Sequence, residues 1–380
     1  MSKNARLLLS AIIGLAGWLT TGSTPVIAAQ DRTELASSDR DGHAVGSSSF
    51  GPTSLDRSGR FVLFQSDANG VVPGDVDGDR DLFRKDLATG KVDWISVGVV
   101  GHASNGDMSG DGRFVVFYAG RTYLRDLDRR TTTVVDGRIP YPVDAPAVSD
   151  DGTKVAFAES STLHVADLTR GTVADIPVGK GSFVDLTPDG KWLVFEEDDG
   201  TTARIIRLDL HTEDRVVIDE VPSGPGAGPV FPFVSDDGSV VAYTVFTNGF
   251  SDLDGFVWEG GAVQPISGAP VSAAGGLSAA GQHVLVVEAA SVAVATAALG
   301  ILDRTTGDTT PIGETVDAWA MALTHDGRTV AWTTTDSLAP GDDNGVADVY
   351  VTRPGWPPHG RGQRPVATPG RSAFSWVFAS

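Results

Sequence analysis

One short phrase, written seven times, constrains this chain more than anything else in it. Its clearest copy is Ser109-Gly110-Asp111-Gly112-Arg113-Phe114-Val115-Val116-Phe117, a polar Gly-centred turn running into an apolar stretch that ends on a ring. The turn recurs at Ser58-Gly59, Asp151-Gly152, Asp189-Gly190, Asp237-Gly238, Ala280-Gly281 and Asp326-Gly327. Three residues past each turn glycine stand Val62, Val115, Val155, Leu193, Val241, Val284 and Val330. Five past it stand Phe64, Phe117, Phe157, Phe195, Tyr243, Val286 and Trp332. Residues two apart share one face of a strand. The residue between them is apolar as well (Leu63, Val116, Ala156, Val194, Ala242, Leu285, Ala331), so the strand is expected to be buried on both faces.

A second signal follows each phrase: an apolar strand, an Asp-led turn such as Asp86-Leu87-Ala88-Thr89-Gly90 or Asp126-Leu127, and another strand. The unit is therefore about four strands, and its glycines repeat every 38 to 53 residues. That length and strand count predict an all-β, seven-bladed propeller, whose blades stack face to face around an axis. A two-sheet sandwich would instead show strands polar on one face. The last unit lacks an outer strand before Pro354, Gly355, Pro357 and Pro358 stop the sheet. Residues Arg32 to Ala36 are expected to supply it, closing the ring with an N-terminal strand in the last blade.

The flanks read differently. Lys3 and Arg6 precede an apolar run from Leu7 to Leu19, and Ala28 or Ala29 offers a cleavage site, so residues 1–29 read as a signal peptide. Residues 30–353 make the propeller, and 354–380 a Pro/Gly-rich basic tail expected to be disordered, with Arg361, Arg364 and Arg371. The mature chain is expected to be secreted or held in the cell envelope, with no transmembrane segment. Its 29 basic and 49 acidic residues give a formal charge of -20, which argues against nucleic acid as a partner. The absence of cysteine excludes disulfides, thiolate metal sites and Cys nucleophiles.

The phrases Ser-Asp-Asp-Gly-x-x-Val-Ala-Phe (149–157), Thr-Pro-Asp-Gly-Lys-Trp-Leu-Val-Phe (187–195) and Pro-Gly-Asp-x-Asp-Gly with a following Asp-Leu-Phe (73–83) resemble TolB-type, WD40-like propeller repeats. The resemblance covers roughly residues 32 to 353. It implies exported binding proteins, or propellers joined to hydrolases. These 380 residues hold no Gly-x-Ser-x-Gly elbow, and no α/β-hydrolase domain is expected within them.

In a propeller, the Asp-Gly and Asp-Leu turns lie on one face and the loops between second and third strands on the other. Those loops are long in units one (Ser66 to Arg80), five (Thr247 to Gly255) and seven (Thr334 to Ala347), so that face is the expected binding face. Two of them repeat each other: Pro73-Gly74-Asp75-Val76-Asp77-Gly78-Asp79-Arg80-Asp81 and Pro340-Gly341-Asp342-Asp343-Asn344-Gly345-Val346-Ala347-Asp348. Hard cations take several oxygens from one tight loop, so Asp75, Asp77, Asp79, Asp81, Asp342, Asn344 and Asp348 are candidate calcium ligands. The competing reading is a turn whose carboxylates accept backbone N–H groups. His43 and His102, in the matching phrases Gly42-His43-Ala44 and Gly101-His102-Ala103, are expected on the same face. The composite expectation is a non-catalytic binding or scaffold module for an envelope or extracellular protein or glycan. The alternative is a secreted polysaccharide hydrolase or lyase with carboxylates in the axial channel.

Overall fold

The computed structural model describes residues 32–46, 48–136, 146–159, 161–179, 183–224, 228–247, 252–269, 271–289, 297–315 and 321–355. The expected signal segment, and the tail beyond 355, lie outside these residues. Every regular element among the described residues is a strand, and the strands form seven antiparallel four-stranded sheets. Blade 1 comprises Ser49–Leu55, Phe61–Ser66, Asp81–Asp86 and Val92–Trp94 from axis to rim. Blades 2 to 6 repeat that order along the chain.

Blade 7 is assembled from both ends of the propeller. Ala322–Leu323, Val330–Thr334 and Asp348–Arg353 provide its inner three strands, and Arg32–Leu35 pairs antiparallel on the outside. The register sets Arg32 opposite Arg353 and Leu35 opposite Tyr350. Thr33 and Thr352 share a hydroxyl hydrogen bond of 3.0 Å, and Arg353 pairs with Glu34. The N-terminal closure expected from the sequence is thus the observed one.

The double burial of the second strand has a direct cause. Val62 and Phe64 pack with Ala331, Val349 and Val351 of blade 7. Leu63, on the other face of the same strand, packs with Val115 and Phe117 of blade 2. Each second strand is a shared wall between two inter-blade cores, so neither face tolerates polar side chains.

The turn glycines answer two demands at once. Gly152 and Gly238 have φ of +68° and +73°, which L side chains rarely adopt. A Cβ on Gly238 would also stand 2.3 Å from Cδ1 of Trp192, and one on Gly152 2.5 Å from Cγ of Phe114. In each case the first residue or two of one blade's second strand lies over the turn of the next blade. The repeat phrase is therefore an inter-blade contact as well as a turn.

The third loop named in the sequence reading is not long. Asp252–Glu259 is a strand, and Asp252 to Gly255 pair with Thr247 to Thr244. Only residues 248–251 separate the two strands, and they lie outside the described residues. Asp252 and Asp254 are strand residues, not members of an acidic loop.

Candidate functional site: the acidic loops and the axial channel

The blade 1 loop spans the gap between Ser66 and Asp81 and folds over its own anchors. Ala68 and Val71 are buried in the blade 7–blade 1 core. Gly70 N donates to Asp75 O at 2.8 Å, and Val71 N to Asp75 Oδ2 at 3.2 Å. Gly78 N is held by Asn69 Oδ1 at 3.0 Å. This curl carries Asp75 inward until it is fully buried, and Asp81, at the start of the third strand, is only 4% exposed.

Asp75, Asp77 and Asp81 converge, each with a carboxylate oxygen within 4.8 Å of the others. Asp81 Oδ1 accepts the indole N–H of Trp94 at 2.7 Å and the hydroxyl of Ser96. Asp81 Oδ2 and Asp75 Oδ1 are buried with no hydrogen-bond partner among the described residues. Burial pushes both carboxyls above the usual range, and the neighbouring carboxylates add to it. Asp79 turns away: its Oδ2 accepts Gly101 N at 3.2 Å. His102 Nδ1 accepts Arg80 N at 2.8 Å, so the histidine clasps the loop from the connection into blade 2.

The blade 7 loop has the same spacing of Gly and acidic positions and another set of partners. Asp348 Oδ1 accepts the Ser37 hydroxyl at 2.6 Å, and Oδ2 accepts Asn344 Nδ2 at 2.8 Å. The same amide donates to Val45 O at 2.8 Å. Asp342 accepts the Tyr350 hydroxyl. His43 is exposed and belongs to a turn in which Asp39 Oδ1 accepts His43 N at 2.9 Å. The two histidines thus hold different loops.

The loops of this face also carry exposed apolar residues. Val76 is 78% exposed and Leu338 42%, one on each acidic loop. Val97 and Val100, 37% and 92% exposed, lie on the connection from blade 1 to blade 2 that includes His102.

A second polar site lies in the axial channel, where the alternative reading expected carboxylates without naming them. The inner strands line an axial cavity of about 240 Å³, with Asp107 and Asp185 in its wall. Burial pushes Asp107 up to about 6 and Asp185 up to about 7. Each carboxylate is committed to neighbouring blades. Asp107 accepts Val148 N of blade 3 and the Ser54 hydroxyl of blade 1, both at 3.0 Å. Asp185 accepts Val234 N of blade 5 at 2.8 Å, and Leu186 N on its own strand at 2.8 Å. Innermost strands are sheet edges with unpaired N–H groups, and these carboxylates satisfy some of them. The signal was available: five residues before the turn glycines stand Ser54, Asp107, Ala147, Asp185, Phe233, Gly276 and Ala322. Two carboxylates interrupt an otherwise small or apolar set.

At the turn-face mouth, Asp150, Asp236 and His325 line the same cavity. Arg57 pairs with Asp150 at 2.7 Å and Asp236 at 3.8 Å, and His325 Nδ1 lies 3.2 Å from Asp236. These residues occupy one position of the repeated turn, so the turns contribute to the channel as well as to packing.

No protein-family model and no curated protein sequence matches the chain. Solved structures do. An oligogalacturonate lyase in complex with manganese superposes with a TM-score of 0.58 at 13% identity, covering 85% of this chain and 98% of that one. The oligogalacturonate lyase of Vibrio parahaemolyticus gives 0.56 at 14% identity, with 85% and 96% covered. TolB from Acinetobacter baumannii gives 0.44 at 14% identity, with 78% and 80% covered. At these identities the first two likenesses establish a shared propeller fold, and the fold alone.

Proposed function

We propose that the protein is an exported, non-catalytic propeller that binds an envelope or extracellular protein or glycan through its long-loop face. The observation that carries this reading is the set of exposed apolar side chains, Val76, Val97, Val100 and Leu338, on the loops of blades 7, 1 and 2. Apolar groups held out from well-anchored loops suit recognition. Calcium is the cofactor on this reading, held by the blade 1 loop, whose curl presents Val76.

A panel of envelope proteins and glycans provides the test. Val76→Glu combined with Val100→Glu should weaken the selected interaction at least tenfold with an unchanged melting temperature. Leu168→Glu, on the opposite face, should leave it intact. Equal loss from both would remove the long-loop face as the binding surface.

The enzymatic alternative has one observation in its favour, the pair of raised carboxyls in the channel. Their engagement by backbone N–H groups of adjacent blades favours a structural role. Turnover of a polyuronate that is lost in Asp107→Asn or Asp185→Asn would reverse that preference.

A further inference from the structure

The two acidic loops can be compared atom by atom, because blades 1 and 7 present the same frame. Asp81 and Asp348 both begin a third strand, at Asp81–Asp86 and Asp348–Arg353. In both, Oδ1 takes a serine hydroxyl from the residue two past an outer strand, Ser96 or Ser37. In both, that serine oxygen accepts the N–H of the residue after the aspartate: Leu82 N at 3.1 Å and Val349 N at 2.9 Å.

Two positions break the match. Where blade 7 has Asn344, whose amide donates to Asp348 Oδ2, blade 1 has Asp77, which has no proton to give. Where blade 7 has Tyr350, whose hydroxyl donates to Asp342, blade 1 has Phe83. The two oxygens left unpartnered in blade 1, Asp81 Oδ2 and Asp75 Oδ1, belong to the residues that correspond to those two acceptors. Blade 1 has lost both donors and gained a third carboxylate.

We infer that a hard divalent cation of the calcium class sits among Asp75, Asp77 and Asp81, taking the part that the Asn344 amide and the Tyr350 hydroxyl play in blade 7. The inference rests on the calcium reading above and deepens it by naming what decides occupancy: the protein takes one such ion, and blade 7 is its donor-filled counterpart. The ligand set is all carboxylate. Calcium takes several carboxylate oxygens in a flexible geometry, whereas magnesium demands a near-ideal octahedron and keeps most of its waters, so three convergent carboxylates on one loop suit calcium better. A softer metal would want imidazole, and the nearby His102 Nδ1 is already accepting Arg80 N. Asp81 Oδ1 also holds the Trp94 indole, which places a chromophore one hydrogen bond from the ion.

Calorimetric titration of the metal-free chain with calcium tests this, with terbium luminescence sensitised through Trp94 as an independent readout. The wild type should bind one calcium per chain. D77N/F83Y, which transplants the blade 7 donors into blade 1, should bind none, give no sensitised terbium emission, and melt at the same temperature with calcium or chelator. N344D/Y350F should bind two. Should D77N/F83Y misfold, Asp77→Ala, at an exposed position, should weaken binding at least tenfold. A wild type with no binding heat and no terbium emission overturns the calcium reading itself. One bound calcium in the wild type that survives in D77N/F83Y, or a count of one in folded N344D/Y350F, leaves calcium standing and overturns the donor exchange.

Discussion

The turn face and the blade 1 loop use aspartate in opposite ways. On the turn face, the carboxylates are surrounded by donors. Asp126 takes both N–H groups of the Arg113 fork, at 2.8 and 3.1 Å, and the backbone N–H of Asp128 and Arg129. Led by the Arg113 hydrogen bonds, this environment holds its carboxyl down at about 2. Asp86 repeats the arrangement with Arg60, Ala88 and Thr89, and its carboxyl is also well below the usual range. On the loop face, Asp75 and Asp81 are pushed up by burial, and each keeps an oxygen without a donor. The lesson is that the count of aspartates says little. The donors within reach decide whether a carboxylate staples the fold or waits for a cation.

The largest effect should come from breaking a turn-face staple. Asp126→Ala leaves the Arg113 fork with the exposed Asp128 carboxylate and orphans two backbone N–H groups, and should cost about 3 kcal/mol in urea unfolding. The sign with pH follows from its depressed carboxyl. The stability it contributes is complete above the unfolded value near 4 and is lost as pH falls toward about 2. Wild type and variant should therefore converge in acid.

On the loop face the expected dependence is on calcium instead. At a free concentration one hundred times the dissociation constant, bound calcium should stabilise the fold by about 2.7 kcal/mol, seen as a higher melting temperature than in chelator. Asp126→Ala should keep that increment, and Asp77→Ala should lose it.

The channel carboxylates give a smaller effect of the other sign. A carboxyl raised to about 7 makes the folded chain hold its proton more tightly, so stability falls as pH rises from about 4 to about 7 and levels off above that. Asp185→Asn keeps an oxygen for Val234 N, gives up the acceptor for Leu186 N and removes the half-buried charge. It should stabilise the protein by about 2 kcal/mol at pH 8 and by much less at pH 4, measured by chemical denaturation. The smallest change is expected at the turn-face mouth. Arg57→Ala removes a half-exposed pair with Asp150 and should cost no more than about 1 kcal/mol.

Much of the fold was legible because a propeller writes its contacts at fixed spacing. Val62, Leu63 and Phe64 announce a strand with two buried faces, and the missing outer strand after Asp348–Arg353 points to Arg32–Leu35. The blade 5 loop was expected to run from Thr247 to Gly255, because the acidic Asp252 and Asp254 carry no strand signal of their own. Pairing across to Thr247 and Val245 makes them strand residues instead. Asp107 and Asp185 were hidden among many aspartates, since only the closed ring shows which N–H groups face them. The acidic loops were found by their spelling. Their difference was also spelled out, as Asp77 against Asn344 and Phe83 against Tyr350. Which oxygen each donor would serve depends on the curl that buries Asp75, and no spacing rule contains that.

The most direct measurement of the central claim is anomalous scattering from a crystal grown with a lanthanide in place of calcium. The account predicts one strong peak among the carboxylates of Asp75, Asp77 and Asp81, and none between Asp342 and Asp348, where Asn344 and Tyr350 already donate. A map with no peak at the blade 1 loop, or with equal peaks at both loops, would contradict it.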